Sequence, residues 1–576
     1  MKLIEALTVL RRPAIPEAVP FRLHLACGFT PLDLKTFLTA HLRIALDGRP
    51  VEVTTGLYGD LAAGLERGVP QDSSAIAVGL EWADLDARLG LRALGGWRVS
   101  ALDDIVRVVG RTLKRLVASL TRIAAGTPVA VCLPTLPLPP VSYVHRAQAD
   151  LWQTSLRFAI EQFALEVVAL PGCRLVSRER LDTVSPTSER LDLRTDLAAG
   201  FPYQGPHASA VGGLLASLIV PRVPKKGLIT DLDDTLWLGI VGESGVEGIG
   251  WTLEKHAQLH GLYQQLLQSL ADTGVLLAVA SKNEPGIVEE AFGHPDLQLS
   301  REALWPMEIG WGLKSEAVGR ILQSWNIGPE AVVFIDDSAM EIGEVQAAFP
   351  AMECRLFPKN DPGAAWKLFG ELRDTFARAT VTEEDRLRLE SLRRGATRGN
   401  ETLGQGSAAA EFLEEAQAVI SIASTTAPGD GRPLDLINKT NQFNLNGRRL
   451  QEAEWRLLLE DPQALLMVVG YRDRFGPLGR ISVLAGRREG NRGHVSVWIL
   501  SCRAFSRQIE HACLAYLYET SGVDELRFTY KPTERNGPIR EFLAALTGEV
   551  PDGEVVLTRD RFRQRCPKLF QRVEAI

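Results

Sequence analysis

The chain has 576 residues, 45 % hydrophobic and 23 % charged, with a formal net charge of −7. That length predicts about three or four folded units, and the composition excludes extensive disorder. The acidic balance argues against nucleic-acid binding through a general positive field, and no run reaches the ~18 apolar residues of a membrane span.

The start, Met1–Glu5, lacks the apolar core of a signal peptide. From there to about residue 220, short apolar runs at Phe21–Ala26, Val51–Val53, Ala75–Leu80, Pro128–Leu133 and Glu166–Leu170 read as strands. Helical periodicity over Leu102–Ile123 and Ala147–Leu165 separates several of them. The alternation predicts an α/β domain over 1–220 with a largely parallel sheet. A Pro/Lys stretch at 221–226 reads as a linker. A second α/β unit follows over 221–380, with buried-type strands Gly227–Thr230, Val275–Ala280 and Ala331–Ile335. A charged helical stretch, Glu383–Arg394, and a Gly/Ser/Ala segment make 381–410 a linker. The remainder, 411–576, mixes strand runs (Leu465–Gly470, Val495–Leu500, Glu525–Tyr530) with helices (Ser506–Tyr518, Ile539–Leu546) and reads as an α+β domain. The seven cysteines, at 27, 132, 173, 354, 502, 513 and 566, form no CxxC pair, so a reduced cytoplasmic protein without structural zinc is expected.

The middle unit carries the strongest chemical signal. The strand Gly227–Thr230 runs directly into Asp231, Asp233, Asp234 and Thr235, placing carboxylates at the carboxyl end of a parallel strand. Phosphoryl transfer needs a carboxylate nucleophile (Asp231), a second carboxyl as general acid/base (Asp233) and a divalent cation. Later strand ends deliver Ser281, Lys282 and Asn283, then Asp336 and Asp337, and Lys314 lies between them. Thr235, Ser281, Lys282, Asn283 and Lys314 are the candidate phosphate-binding side chains; Asp231, Asp233, Asp336 and Asp337 are the candidate magnesium ligands. Only 50 residues separate Asp231 from Ser281, and 33 separate Ser281 from Lys314. Neither interval holds a large cap domain, so an open site is expected.

These four pieces, in this order, resemble motifs I to IV of the haloacid dehalogenase (HAD) superfamily. The longer stretch Asp231–Ile249, with Ser281–Glu284, resembles the FkbH-like branch (HAD subfamily IIIC), and so do Asn438–Leu445, Trp498–Arg503 and Tyr530–Asn536. The resemblance is close over roughly 225–545 and looser in the N-terminal domain. It implies an enzyme of polyketide biosynthesis that takes 1,3-bisphosphoglycerate, removes its phosphates and loads the glyceryl group as a thioester onto an acyl carrier protein. Magnesium and the carrier's phosphopantetheine would be its cofactors. The acyl phosphate needs a thiol nucleophile. Cys502, after Val495–Leu500 and beside Arg503, is the candidate relay, with a buried structural cysteine as the alternative of equal weight; the carrier thiol can also act directly.

The resemblance further implies a GCN5-related N-acetyltransferase (GNAT)-like C-terminal domain, in which a strand, a basic loop and a helix N-terminus hold pantetheine. Asn441, Gln442, Asn444, Arg503, Arg507 and Asn536 mark that acyl/pantetheine region. Ser506 and Gln508 stand where glycines are expected, which disfavours coenzyme A more than a carrier's arm. The N-terminal domain resembles an SGNH hydrolase with Cys27 and Gly28 in place of the nucleophile motif, so a degenerate domain is expected, with His207 in a suggestive region. Arg559, Arg561, Arg563, Arg565, Lys568 and Arg572, and the smaller set Arg393, Arg394 and Arg398, are either solvated faces or a landing surface for an acidic carrier. A phosphatase or acyltransferase with another substrate, and a non-catalytic carrier scaffold, are the competing readings.

Overall fold

The computed structural model describes the chain except residues 14, 16–17, 95–96, 141–143, 146, 379–388, 390–391, 394–413, 415–416, 427–429, 475, 502–503, 505–506 and 534. It is a mixed α/β protein of two compact units. The first comprises Met1–Arg222 with Leu450–Glu460, and the second Val223–Arg449 with Asp461–Ile576.

The first unit is built on five parallel strands: β1 (Phe21–Cys27), β2 (Val51–Thr55), β3 (Ala75–Gly79), β4 (Val129–Cys132) and β5 (Cys173–Leu175), in the order β2-β1-β3-β4-β5. The run Glu166–Leu170 is not a strand. It closes the helix Leu151–Ala169, where Ile160, Phe163 and Val167 are buried and Val168 is 63 % exposed, the helical rather than the alternating pattern. The fifth strand lies just beyond. The helix Glu452–Glu460, distant in sequence, also belongs to this unit: Glu452 pairs with Arg174, and Arg456 donates to the Ala125 carbonyl at 3.0 Å.

The second unit contains two sheets. One has five parallel strands: β6 (Gly227–Thr230), β7 (Leu276–Ser281), β8 (Leu304–Ile309), β9 (Val332–Asp336) and β10 (Glu353–Leu356), in the order β10-β9-β6-β7-β8. From the central β6 the chain winds one way to β7 and β8, then returns to the other side for β9 and β10. Strand order therefore reverses between β6 and β9, and the crevice at their carboxyl ends is where such sheets bind ligands. Leu228, Leu277 and Val333 bury one face, and Ile229, Ala278 and Phe334 the other, as expected of strands covered by helices on both sides.

The other sheet holds β11 (Val419–Ala423), β12 (Phe443–Asn444), β13 (Ala464–Asp473), β14 (Gly476–Glu489), β15 (Arg492–Leu500), β16 (Glu525–Thr529), β17 (Glu554–Thr558) and β18 (Arg572–Ala575). Its order is β17-β16-β15-β14-β13-β11-β18, with β12 beside β15. Pairing is antiparallel except at β15–β16 and β11–β18. Among the described residues no helix is long and apolar enough to cross a membrane.

Candidate active site

Asp231 is the first residue past β6, still held in the ladder by its N–H on the Ile335 carbonyl at 2.9 Å. The chain then folds back sharply through Asp234, which takes a left-handed φ of +52°. Asp233 clamps this loop from within. Its Oδ1 accepts from the Trp237 indole at 2.8 Å and the Val241 N–H at 3.1 Å. Its Oδ2 accepts from the Asn283 amide at 3.1 Å, and the same Asn283 nitrogen reaches the Ser281 hydroxyl at 3.2 Å. The ends of β6 and β7 are thus joined by side chains that sequence alone leaves fifty residues apart.

Lys314, at the start of the helix Lys314–Trp325, is the hub. Its ammonium is 3 % exposed and lies 2.9 Å from Asp231, 2.5 Å from Asp336 and 2.5 Å from Glu341. Ligand atoms of these three carboxylates lie within 4.8 Å of one another. Asp336 is fixed by the Ser338 N–H on its Oδ1 at 2.8 Å, and Glu341 is shared with Lys282 at 2.9 Å. Burial raises the Asp231 carboxyl above its ordinary value, with Lys314 opposing. Burial and the neighbouring Asp231 raise Asp336 to about 7. Burial alone would lower the Lys314 ammonium, but Asp231 and Asp336 hold it above its usual value.

Three carboxylates meet two ammoniums, Lys314 and, through Glu341, Lys282, so negative charge stays in excess where burial limits what water can offset. The Asp231 Oδ1 is buried without a hydrogen-bond partner, and so is the Thr235 hydroxyl. An all-oxygen, carboxylate-rich set with an unclaimed lone pair suits a small hard divalent cation such as magnesium. Asp231, Asp336 and Glu341 are the residues that would hold it.

Asp337 stands apart from this cluster. Its Oδ2 binds Lys359 at 2.8 Å, so the third carboxylate comes from Glu341 instead. Sequence reasoning passed over Glu341. The available signal was its place in the first turn of the helix Ala339–Ala348, five residues beyond Asp336 and so on the same crevice. Trp311, three residues before Lys314, is 71 % exposed and held at the rim by its indole N–H on Glu284 at 3.2 Å.

The residues assigned to an acyl or pantetheine region are placed mostly in internal roles. Asn441 and Gln442 face the amino-terminal side of the β6–β10 sheet. Asn441 donates to Glu330 at 3.5 Å and Gln442 to Asn326 at 3.3 Å, while Arg535 pairs with Glu330 at 2.7 Å. Buried Asn444 donates to the Thr440 carbonyl at 3.0 Å, and buried Asn536 to those of Lys531 at 2.8 Å and Asn444 at 3.2 Å. The Arg507 guanidinium lies 5.6 Å from the Tyr471 ring centre. Cys502 and Arg503 lie outside the described residues. Gln508 adopts a left-handed φ of +54° before the helix Ile509–Thr520, a conformation that favours the glycine expected there.

In the first unit Cys27 is buried, donates to the Phe29 carbonyl at 3.3 Å, and is pushed by burial to about 12, so it carries no thiolate near neutrality. His207 is fully buried, between the hydroxyls of Thr135 at 2.8 Å and Ser185 at 2.9 Å, and burial lowers it to about 3. Thr135 in turn donates to buried Glu81 at 2.5 Å. Several of the C-terminal cations serve the fold: Arg559 pairs with Asp524 at 3.3 Å, Arg565 donates to the Ala545 carbonyl at 2.8 Å, Arg561 caps the Thr547 carbonyl, and Arg572 pairs with Glu574 at 2.7 Å. Arg393 donates to the Leu304 carbonyl at 3.0 Å, whereas Arg394 and Arg398 lie outside the described residues.

No protein-family model matches the sequence, and a search of curated proteins returns no match. Among solved structures, the chain is similar to the N-terminal part of protein BF1531 from Bacteroides fragilis, which contains a phosphatase domain and was crystallised with magnesium. Identity is 17 %, the match covers 66 % of this chain and all of that one, and the TM-score is 0.51. Glycosyltransferase VinC in complex with DTDP aligns at 13 % identity over 65 % of this chain and 94 % of its own, with a TM-score of 0.13 that implies no common architecture. The likeness to the Bacteroides protein is one of fold.

Proposed function

We propose that this protein is a magnesium-dependent phosphatase of the HAD type whose phosphoryl chemistry is coupled to acyl transfer. On this reading it dephosphorylates 1,3-bisphosphoglycerate and loads the glyceryl group onto an acyl carrier protein in polyketide biosynthesis, as the FkbH-like resemblance implies. The observation that carries the phosphatase part is the buried cluster of Asp231, Lys314, Asp336 and Glu341 at the strand-order reversal. The phosphatase domain of the Bacteroides neighbour, crystallised with magnesium, supports it.

The chain's own groups suit hydrolysis of the phosphate monoester. A carboxylate oxygen of Asp231 attacks phosphorus, and the bond from phosphorus to the ester oxygen breaks. Asp233 gives a proton to the departing alkoxide, leaving an aspartyl phosphate on Asp231. Asp233 then takes a proton from water, which attacks phosphorus and frees Asp231. Ser281 and Lys314 hold the phosphoryl oxygens and neutralise their charge. Magnesium, when bound, supplies Lewis-acid neutralisation of the same charge. The acyl phosphate reacts separately: the carrier thiol, or Cys502 before it, attacks the acyl carbon and expels phosphate. The strand-then-helix passage from β15 to Ile509–Thr520 supports a GNAT-like domain for that step, and the strand order of the first unit supports an SGNH-like domain.

A second reading, a phosphatase or acyltransferase acting on a different phosphorylated small molecule, is favoured by one observation. Asn441, Gln442, Asn444 and Asn536 are engaged within the fold, which leaves fewer of the assigned groups to recognise a pantetheine arm. Intact-mass spectrometry of a phosphopantetheinylated carrier, incubated with enzyme, magnesium and 1,3-bisphosphoglycerate generated in situ, separates the two. A glyceryl-sized gain on the carrier supports the first reading. Phosphate release with every carrier unmodified supports the second.

A further inference from the structure

Lys359 lies in the turn that follows β10, far in sequence from the chemistry. Its ammonium nonetheless binds Asp234 at 2.6 Å and Asp337 at 2.8 Å, each the immediate neighbour of a residue described above: Asp233 on one side, Asp336 on the other. Asp234 is the left-handed residue of the first loop, and its second oxygen accepts the Gly239 N–H at 2.8 Å. The turn carrying Lys359 is itself fastened to the end of β9, since the Phe357 N–H donates to the Asp336 carbonyl at 2.7 Å. His260 faces the same group of charges, its Nδ1–H donating to the Thr235 carbonyl at 2.9 Å.

We propose that Lys359 is a positioning residue for the cation cluster: its bridge between Asp234 and Asp337 fixes how far Asp231 stands from Asp336. This rests on the reading of the cluster as a magnesium site. The physical case is direct. One ammonium holds two carboxylates on loops that no backbone ladder joins at that level; without it, like charges a few ångströms apart repel and both loops are released. Both pairs are partly buried, where water screens them weakly. The bridge also accounts for Asp337 turning away from the cluster and leaving the third carboxylate to Glu341. Groups that orient ligands from behind typically change metal affinity by about 10–100-fold when lost.

The test is calorimetric titration of the full-length protein with magnesium chloride alone, so that binding is read without turnover. Lys359→Met is expected to weaken magnesium by about tenfold or more, while Lys359→Arg, which can span both carboxylates, keeps affinity within about threefold. The double variant Asp337→Asn/Lys359→Met is expected to bind no more weakly than Lys359→Met, because both changes break one bridge. Unchanged affinity in a folded Lys359→Met overturns the proposal. So does a double variant much weaker than the single, which would make Asp337 a direct ligand. Should Lys359→Met fail to fold, the same comparison with Asp337→Asn decides: near wild-type affinity overturns the bridge. Wild type that binds no magnesium overturns this proposal and the site reading together, whereas magnesium binding without turnover of any phosphate ester overturns only the phosphatase.

Discussion

Replacing Lys314 by Met is the most informative single perturbation of the cluster. The side chain keeps nearly the same length but withdraws the ammonium that lies 2.5–2.9 Å from buried Asp231 and Asp336 and half-buried Glu341. Breaking a buried pair by removing one partner typically costs about 3–5 kcal/mol, because the remaining charges stay desolvated and uncompensated. At about 2 °C per kcal/mol or somewhat less for a unit of this size, the melting transition of the second unit should fall by roughly 4–10 °C in EDTA. Part of that loss should be recoverable. A cation present at 100 times its dissociation constant adds about 2.7 kcal/mol, and in the variant it no longer meets a competing ammonium. Magnesium should therefore raise the transition of Lys314→Met more than that of wild type, as read by differential scanning calorimetry with and without the ion. A Lys314→Met protein as stable as wild type in EDTA, or one no more responsive to magnesium, would refute the view that Lys314 is the counter-ion of all three carboxylates.

Other expectations follow from the same contacts. Glu341→Gln removes one charge from the cluster and should raise the magnesium concentration needed for half-maximal phosphate release by about tenfold, with the rate at saturating magnesium falling much less. Asn283→Ala frees Asp233 Oδ2 and the Ser281 hydroxyl together, so single-turnover phosphate release should slow by about 10–100-fold, within the range of a misplaced acid/base group. His207 has a folded value near 3 against an ordinary 6.5, so the stability it contributes is fully present above pH 6.5 and is lost as pH falls toward 3. At pH 5 the deficit is roughly 2 kcal/mol, and urea unfolding of His207→Gln should lack that part of the wild-type decline.

Much of the site was legible because its chemistry sits at strand ends. The run Gly227–Thr230 is β6 to the residue, and the expected strands at 275–280 and 331–335 are shifted by one position. Asp231, Ser281, Lys314 and Asp336 are brought to one crevice because three parallel strands end there and a helix begins there. Glu341 was illegible because a carboxylate in a helical first turn is ordinary capping chemistry; only the fold shows that this turn overlooks Asp231. Lys359 was illegible for the same reason in stronger form, lying 125 positions from one partner. β8 hides behind its Trp305-Pro306 pair, and β14, flanked by glycine and arginine, has apolar character only over Ile481–Ala485. The Glu166–Leu170 run misled because a short apolar stretch ending a helix has the composition of a strand, and only the exposure of Val168 separates the two. Asn441 and Gln442 are placed in the acyl/pantetheine region by the family resemblance alone; in the structure their amides meet Glu330 and Asn326.

The central claim is that Asp231 is the phosphoryl-accepting nucleophile of a magnesium-dependent phosphatase. Its most direct test is acid-quenched intact-mass spectrometry of the enzyme a few milliseconds after mixing with magnesium and 1,3-bisphosphoglycerate. A transient phosphoryl-sized gain on the wild-type protein, localised to the peptide containing Asp231 and missing from Asp231→Asn, is the predicted result. Hydrolysis of the phosphate monoester that proceeds without any such gain, or that survives in Asp231→Asn, would contradict it.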